Sequence, residues 1–253
     1  MNDRFQVGLF LKLAACFLSF AVIFTSVIVI CRSPLLYESR ESAAEIADAV
    51  TVKDGSLPVI VIDPGHGGED GGACSDSGVC EKDINLSIAL YLAGLCRAAG
   101  LEYRLTRTED VMLYEDGKSS RKMQDLSNRL KFTEDGNCIF ISIHQNKFPQ
   151  RSCRGTQVYY SQNDGNSVKL ALTIQSCVRE NLQPDNTRSV KKAGSEIYVL
   201  DRANVPAVLV ECGFLSNGEE LELLLSKDYR KKLACALYSA ILGYLSETYE
   251  TEG

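Results

Sequence analysis

The sequence predicts one α/β domain with a twisted, mostly parallel central sheet that is covered by helices on both faces. Short apolar runs alternate along the chain with longer segments of helical periodicity, which is the pattern of such a sheet. Three of the runs are apolar almost without interruption, at residues 59–62, 138–143 and 207–210. Runs of this kind are typical of central strands that are buried on both faces.

The elements are predicted to follow one another directly from residue 57 onward. In chain order they are the strand PVIVID, a helix over 82–99, the run LEYRLTR, a helix over 120–132, the runs CIFISI and GTQVYY, a helix over 165–182, the runs EIYVL and PAVLVE, and a helix over 218–245. Leucines in the last segment recur near helical spacing and predict a core-facing stripe. The sequence shows no internal repeat and no second domain.

Residues 1–34 are predicted to be an N-terminal signal anchor. Residues 13–31 carry no charge and are mostly Leu, Ala, Val, Ile and Phe, about the length that crosses a bilayer as a helix. No A-x-A cleavage site follows this stretch. We therefore expect a membrane-spanning segment with the folded domain outside the cytoplasm. Secretion after signal cleavage is the alternative.

Composition divides the remainder of the chain into three parts. Residues 35–56 are polar and charged, as expected of a linker, residues 57–246 form the predicted catalytic domain, and residues 247–253 form a short tail. The formal net charge is −6, so there is no basic field for a polyphosphate, and nucleic acid is not an expected partner.

The ten cysteines of this exported chain do not all suggest disulfides. Cys74 and Cys80 lie in polar sequence and could form a bridge or remain free thiols. Five others fall in apolar helix or strand patterns, where cysteine packs as a small core residue. These are Cys96, Cys138, Cys177, Cys212 and Cys235.

Chemically capable side chains follow the predicted buried strands. The only two histidines, His66 and His144, and the acid Glu211 each follow or close such a strand, and Glu81 opens the helix after the His66 loop. In open α/β sheets, ligands bind just beyond the carboxyl ends of the strands. We expect the four side chains to meet at one edge of the sheet.

Two neutral imidazoles and one carboxylate are a common ligand set for a catalytic zinc ion. If His66, Glu81 and His144 are the ligands, Glu211 remains as the general base that moves the proton of water. Other interpretations stay open: each histidine could be a hydrogen-bonded structural residue, and Glu81 could favour the dipole of its helix. An acid that closes a buried strand, in contrast, needs a partner or a function.

Five ordered segments resemble the motifs of the zinc-dependent N-acetylmuramoyl-L-alanine amidases of the amidase-3 family. The resemblance covers residues 58–244 and rests on VIVIDPGHGGEDGGA, EKDINLSIAL, LTRTED, SIHQN and PAVLVECGFLSNGEE. It implies that His66, Glu81 and His144 bind one Zn²⁺ ion and that Glu211 is catalytic. It also implies the substrate, the peptidoglycan amide between N-acetylmuramic acid and the L-alanine of the stem peptide.

Within the family, the compact size, the N-terminal anchor and the region from GTQVYY to EIYVL resemble the sporulation and germination amidases of the CwlD type, which act on spore cortex. Arg107 could pair with a carboxylate of the stem peptide, but an exposed surface arginine is the expectation. Only eight residues, KFPQRSCR, separate SIHQN from GTQVYY. They are too few for the blocking helix of cell-division amidases, so control by such a helix is not expected, and control by a separate activating partner stays open.

Three other functions fit parts of these observations. A vegetative cell-wall autolysin would have the same activity, and a zinc peptidase would cut within the stem peptide. A non-catalytic wall-binding protein would keep the fold, but it would be expected to have lost a ligand or the general base, and none is missing.

Overall fold

The strands of the domain form a single sheet in which one antiparallel pair interrupts a parallel pattern. The computed structural model describes residues 57–115 and 120–249. Its strands are β1 (Val59–Pro64), β2 (Tyr103–Leu105), β3 (Cys138–Asn146), β4 (Gln157–Tyr160), β5 (Lys191–Lys192) and β6 (Ala207–Phe214). They are ordered β2-β1-β3-β6-β4-β5, and only β4 and β6 pair in antiparallel fashion. The mostly parallel sheet predicted from the sequence is confirmed.

Helices cover both faces of the sheet. They are α1 (Glu81–Ala98), α2 (Arg121–Leu130), α3 (Asn166–Leu182), α4 (Tyr198–Arg202), α5 (Gly218–Leu225) and α6 (Lys227–Tyr249), and a short 3₁₀ helix spans Lys131–Thr133. Successive strand residues point to opposite faces. Accordingly, Ile60 and Ile62 pack in one core with α1, α3 and α6, whereas Val61 packs in a second core with α2 and α4.

The prediction of a strand over residues 196–200 is wrong. Most of this segment lies in the short helix α4, and the edge of the sheet is formed by β5 instead. The buried neighbours Val199 and Leu200 both pack in the same core. Two consecutive strand residues would point to opposite faces, so the helix is the conformation that buries both.

The predicted helix over 218–245 is two helices, and the second reaches Tyr249. The chain becomes extended at Ser226, with ψ of 123°. Arg230 Nη1 donates to the carbonyls of Leu224 and Leu225, at 2.7 and 2.8 Å, and so satisfies the free end of α5. Leu225, one of the leucines in the predicted core-facing stripe, is exposed.

The predicted anchor at residues 1–34 and the linker at 35–56 lie outside the described residues. No helix within the described ranges has both the length and the apolar character to cross a bilayer. Cys96, Cys138 and Cys212 are buried as expected, whereas Cys235 is exposed, so its predicted core position is wrong. A disulfide joins Cys74 to Cys80.

Candidate active site

Three neighbouring parallel strands bring the predicted site residues to one edge of the sheet. His66 follows β1, and His144 lies near the end of the adjacent strand β3. Glu211 on β6 is the register partner of His144. Glu81 is the first residue of α1, the helix that follows the His66 loop.

Glu81 lies between the two histidines. Its Oε1 is 3.2 Å from His66 Nε2, and its Oε2 is 3.4 Å from His144 Nδ1. One ligand atom from each residue lies within 4.8 Å of the others, and no other group of His, Cys, Asp and Glu side chains in the described part of the chain meets this spacing. Two imidazoles and a carboxylate at such distances fit a zinc ion.

Two glycines leave the space that this approach requires. A Cβ at Gly65 would lie 2.2 Å from His144 Nε2, and one at Gly72 would lie 2.4 Å from Glu81 Oε1. His66 itself has a φ of 61°, a left-handed conformation that is uncommon for residues other than glycine. The backbone of this loop is therefore shaped to place the two rings against Glu81.

Hydrogen bonds fix Glu81 independently of the histidines. Its Oε1 accepts from the backbone amide of Ala73 at 2.6 Å, and its Oε2 accepts from that of Gln145 at 2.8 Å. Burial alone would raise the pKa of Glu81, but the His144 and His66 rings hold that pKa well below its usual value. The side chain thus remains an ionised carboxylate.

Asp70 orients His66 from the side away from Glu81. Its Oδ2 is 2.8 Å from His66 Nδ1, so Nε2 is the nitrogen that faces the cluster. A ligand histidine commonly shares its second nitrogen with a carboxylate in this way. Burial lowers the pKa of His66, but Glu81 and Asp70 outweigh it and raise that pKa above 6.5. Asp70 was not predicted as a site residue. Its position four residues after His66 is a sequence signal that could have suggested a contact between the two side chains.

Glu211 differs from Glu81 in having an unsatisfied oxygen. Its Oε2 is buried and has no hydrogen-bond partner among the described residues. Burial raises the pKa of Glu211 to about 7; the His144 ring opposes the rise and the Glu81 charge adds to it. A carboxyl group of this kind is suited to accepting and returning a proton.

A buried arginine, Arg129, stabilises the backbone of the His66 loop. Arg129 Nη2 donates to the His66 carbonyl at 2.7 Å, and Nη1 donates to the Pro64 carbonyl at 2.9 Å. The same guanidinium forms ion pairs with Asp63 at 2.7 Å and with Asp125 at 2.9 Å. Arg129 was not predicted to contribute to the site, because nothing in the pattern of α2 relates it to residues more than sixty positions earlier.

The expectation that Arg107 is an exposed arginine is wrong, and so is its alternative role as a partner of the stem peptide. Arg107 is 3% exposed. Its Nε donates to the Pro64 carbonyl at 2.9 Å, and its Nη2 donates to the carbonyls of Gly65 and Lys82 at 3.1 and 2.8 Å. Arg107 therefore joins the His66 loop to α1 and has no free face for substrate.

A His–Glu–His cluster with a second buried carboxylate, placed at the carboxyl edge of a parallel sheet, is the donor set of a metal-dependent hydrolase. The family model described as N-acetylmuramoyl-L-alanine amidase matches residues 60–243, and the chain belongs to this family. It is an amidase that acts on peptidoglycan, as its relatives do.

Two relatives illustrate the similarity. The germination-specific N-acetylmuramoyl-L-alanine amidase of Bacillus subtilis is 36% identical over 203 residues, which cover 77% of this chain and 84% of the relative. The solved CwlD amidase of Clostridioides difficile, in complex with the GerS lipoprotein, is 38% identical with a TM-score of 0.72, covering 75% of this chain and 99% of that one.

A third comparison is with an amidase of another organism. The amidase AmiC2 of Nostoc punctiforme is 31% identical, with a TM-score of 0.64 over 76% of this chain and 99% of that one. The fold is therefore shared by amidases of quite different bacteria.

Proposed function

We propose that the chain is a zinc-dependent amidase that hydrolyses the bond between N-acetylmuramic acid and L-alanine in spore cortex peptidoglycan and so prepares the spore for germination. The observation that carries the zinc dependence is the position of Glu81 between the two histidines, at 3.2 and 3.4 Å. The cortex assignment is supported by the similarity to the germination-specific amidase of Bacillus subtilis.

His66, Glu81 and His144 would hold the ion. A bound zinc ion supplies Lewis acidity, which polarises the scissile carbonyl and lowers the pKa of water. Glu211 accepts the proton of the attacking water at its unpartnered Oε2 and returns it to the amine nitrogen of the departing stem peptide. Asp70 holds His66 in the orientation that directs Nε2 into the site.

The remainder of the chain would keep this domain at the wall. Residues 1–34 form the proposed membrane anchor and residues 35–56 the linker, so that the domain at 57–246 with its tail at 247–253 acts outside the cytoplasm. The connection between β3 and β4 contains no helix that could cover the site. We propose control by a separate protein, a proposal supported by the complex of the CwlD amidase with a lipoprotein.

Metal content and digestion of purified peptidoglycan test the activity together. The protein should contain one zinc ion per chain, lose hydrolysis on chelation, and recover it with zinc but not with magnesium, which prefers oxygen ligands. Mass measurement of the fragments should show intact stem peptides with a free L-alanine amine. Cleavage between amino acids, or undiminished hydrolysis by metal-free protein, would refute the proposal.

Parallel digestion of cortex and vegetative wall tests the proposed substrate. Faster release of stem peptides from cortex is expected. Equal rates would favour the autolysin alternative while leaving the amidase activity intact. Carbonate extraction of membranes tests the anchor, since a wholly soluble mature protein would contradict it.

A further inference from the structure

We propose that Arg188 forms a carboxylate-binding subsite beside Glu211, where it binds a carboxylate of the stem peptide during cleavage. The inference rests on the amidase function and specifies how the peptide side of the substrate is recognised. Arg188 takes the role that Arg107 cannot have, because Arg107 is buried beneath the His66 loop.

Arg188 is connected to the site by the register partner of Glu211 and by the last residue of its strand. Gln157 on β4 is the register partner of Glu211, and its Oε1 accepts a hydrogen bond from Arg188 Nη1 at 3.2 Å. Phe214 closes β6, the strand that carries Glu211, and the Arg188 guanidinium lies over its ring at 4.5 Å from the centroid. The guanidinium therefore contacts the register partner of Glu211 and the last residue of the strand that carries Glu211.

The guanidinium is held in one orientation before any substrate arrives. Its Nε donates to the Arg154 carbonyl at 2.7 Å, and the Arg188 amide donates to Asn186 Oδ1 at 2.9 Å. Asn186 is itself buried and donates to the Thr156 carbonyl at 2.9 Å. A preorganised fork loses little conformational entropy when it binds a planar anion.

Arg188 differs from its neighbours in having no close ion pair within the described residues, although the Glu220 carboxylate interacts with it electrostatically at longer range. Arg151 lies 2.7 Å from Asp76 and Arg154 lies 3.9 Å from Glu219, but no carboxylate of the described residues lies within 4 Å of Arg188. Its Nη2 also has no acceptor at hydrogen-bond distance within those residues. A partly buried guanidinium with a free Nη2 can bind an anion through charge-assisted hydrogen bonds.

The chemistry of the substrate selects the anion. A guanidinium fork matches a carboxylate, with which it can form two parallel hydrogen bonds. The stem peptide supplies carboxylates close to the scissile amide, whereas an N-acetylmuramoyl group joined through its lactyl carbonyl has none left at that bond. The subsite therefore accounts for recognition of the peptide and not of the glycan.

Two synthetic substrates test the inference. One is an N-acetylmuramoyl peptide with free peptide carboxylates, and the other is the same compound with those groups converted to carboxamides. Wild-type, zinc-loaded enzyme should have a kcat/KM for the acid about 10- to 100-fold above that for the amide, the effect of a charge-assisted bidentate contact. Arg188→Gln should abolish this preference, and Arg188→Lys should retain part of it.

Arg151→Gln is the matched control, since it removes an exposed arginine that already has a partner, Asp76. It should keep the wild-type preference, and a thermal melt should show that each variant is folded. A preference that survives in Arg188→Gln would overturn the inference.

Binding of the released peptides provides a second readout that needs no turnover. By calorimetry, wild-type protein should bind the acid peptide more tightly than the amide peptide, and Arg188→Gln should bind both alike. Equal affinities in the wild type would overturn the inference. Failure of the wild type to hydrolyse either substrate would instead contradict the amidase function, so the two failures are distinguishable.

Discussion

Two groups of buried charges lie next to each other below the carboxyl edge of the sheet, and they are balanced in different ways. In the first, all five N–H bonds of Arg129 are used: they reach Asp63, Asp125 and the carbonyls of Pro64 and His66. In the second, Glu81 lies between two histidines, and Glu211 keeps a buried oxygen without a partner.

This difference indicates a structural role for the first group and a catalytic role for the second. The Arg129 group neutralises its charge within the protein, so it can only hold the backbone in place. In the second group, the Glu81 carboxylate and the two imidazoles can bind a cation. The free Glu211 oxygen can accept a proton from water. Both groups contact His66, one at its ring and the other at its carbonyl. Substitutions in the two groups should therefore fail in different assays, and four experiments test this.

The largest effect is expected from Glu211→Gln, which should reduce the rate of peptidoglycan hydrolysis about 10²- to 10⁴-fold. The amide has nearly the shape of the carboxylate but cannot accept the proton of water. Zinc content, measured by mass spectrometry of the metal, and the melting temperature should stay near wild-type values. Glu219→Gln, an exposed acid on α5, is the control and should remain active. Full activity of Glu211→Gln would disprove its catalytic role.

Arg129→Met should lower the free energy of unfolding by about 3–5 kcal/mol, because it leaves the buried acids Asp63 and Asp125 without a counter-ion. Urea unfolding measures the loss. Arg121→Met, on the exposed side of the same helix, should change stability by no more than about 1 kcal/mol. A comparable loss in both variants would show that the buried group has no special structural role.

Low pH should weaken the ion pairs of the Arg129 group, because Asp63 becomes protonated. Burial alone would raise the pKa of Asp63, but the Arg129 charge and hydrogen bonds from Ser142 and Thr106 hold that pKa below 3.8. Because the folded pKa is depressed, this stabilisation is present in full above pH 3.8 and is lost as the pH falls from 3.8 through the lower pKa of the folded state. Urea unfolding from pH 6 down to about pH 2 should therefore show a smaller decline in the free energy of unfolding for Asp63→Asn than for the wild type. An unchanged decline would contradict the assignment.

Asp70→Asn is expected to have the smallest effect, about a 10- to 100-fold weaker zinc affinity with little change in the fold. The substitution weakens the hydrogen bond that orients His66. Competition with a chromogenic chelator measures the affinity. Glu69→Gln, an exposed neighbour that pairs with Arg121, is the control and should bind zinc normally. Wild-type affinity in Asp70→Asn would mean that the ring is positioned by packing alone.

The position of the site follows from the sequence because it depends on topology. Uninterrupted apolar runs predict central parallel strands, and their carboxyl ends meet at one edge. Residues that follow such runs, such as His66, His144 and Glu211, must then approach one another. The glutamate at the start of the next helix is brought in by the connection from β1, which runs over residues 65–80.

The supporting contacts were beyond prediction because they depend on side chains that meet across long sequence distances. The Arg129 pair with Asp63 spans 66 positions, and no local pattern encodes it. The prediction for Arg107 failed for the same reason. The residues around it do not show whether this arginine is exposed or binds backbone carbonyls in the interior. Residues 196–200 have a strand-like composition, but packing of Val199 and Leu200 against one core decides their conformation.

The two outer strands of the sheet have a consequence for solubility. The edge strand β5 consists of Lys191 and Lys192, both exposed, and the opposite edge strand β2 carries Arg104, which pairs with Asp135. A strand from another molecule could add to either edge only by approaching these cations, which disfavours such pairing. The apolar central strands are thereby shielded from intermolecular association, even where many copies crowd together at a surface.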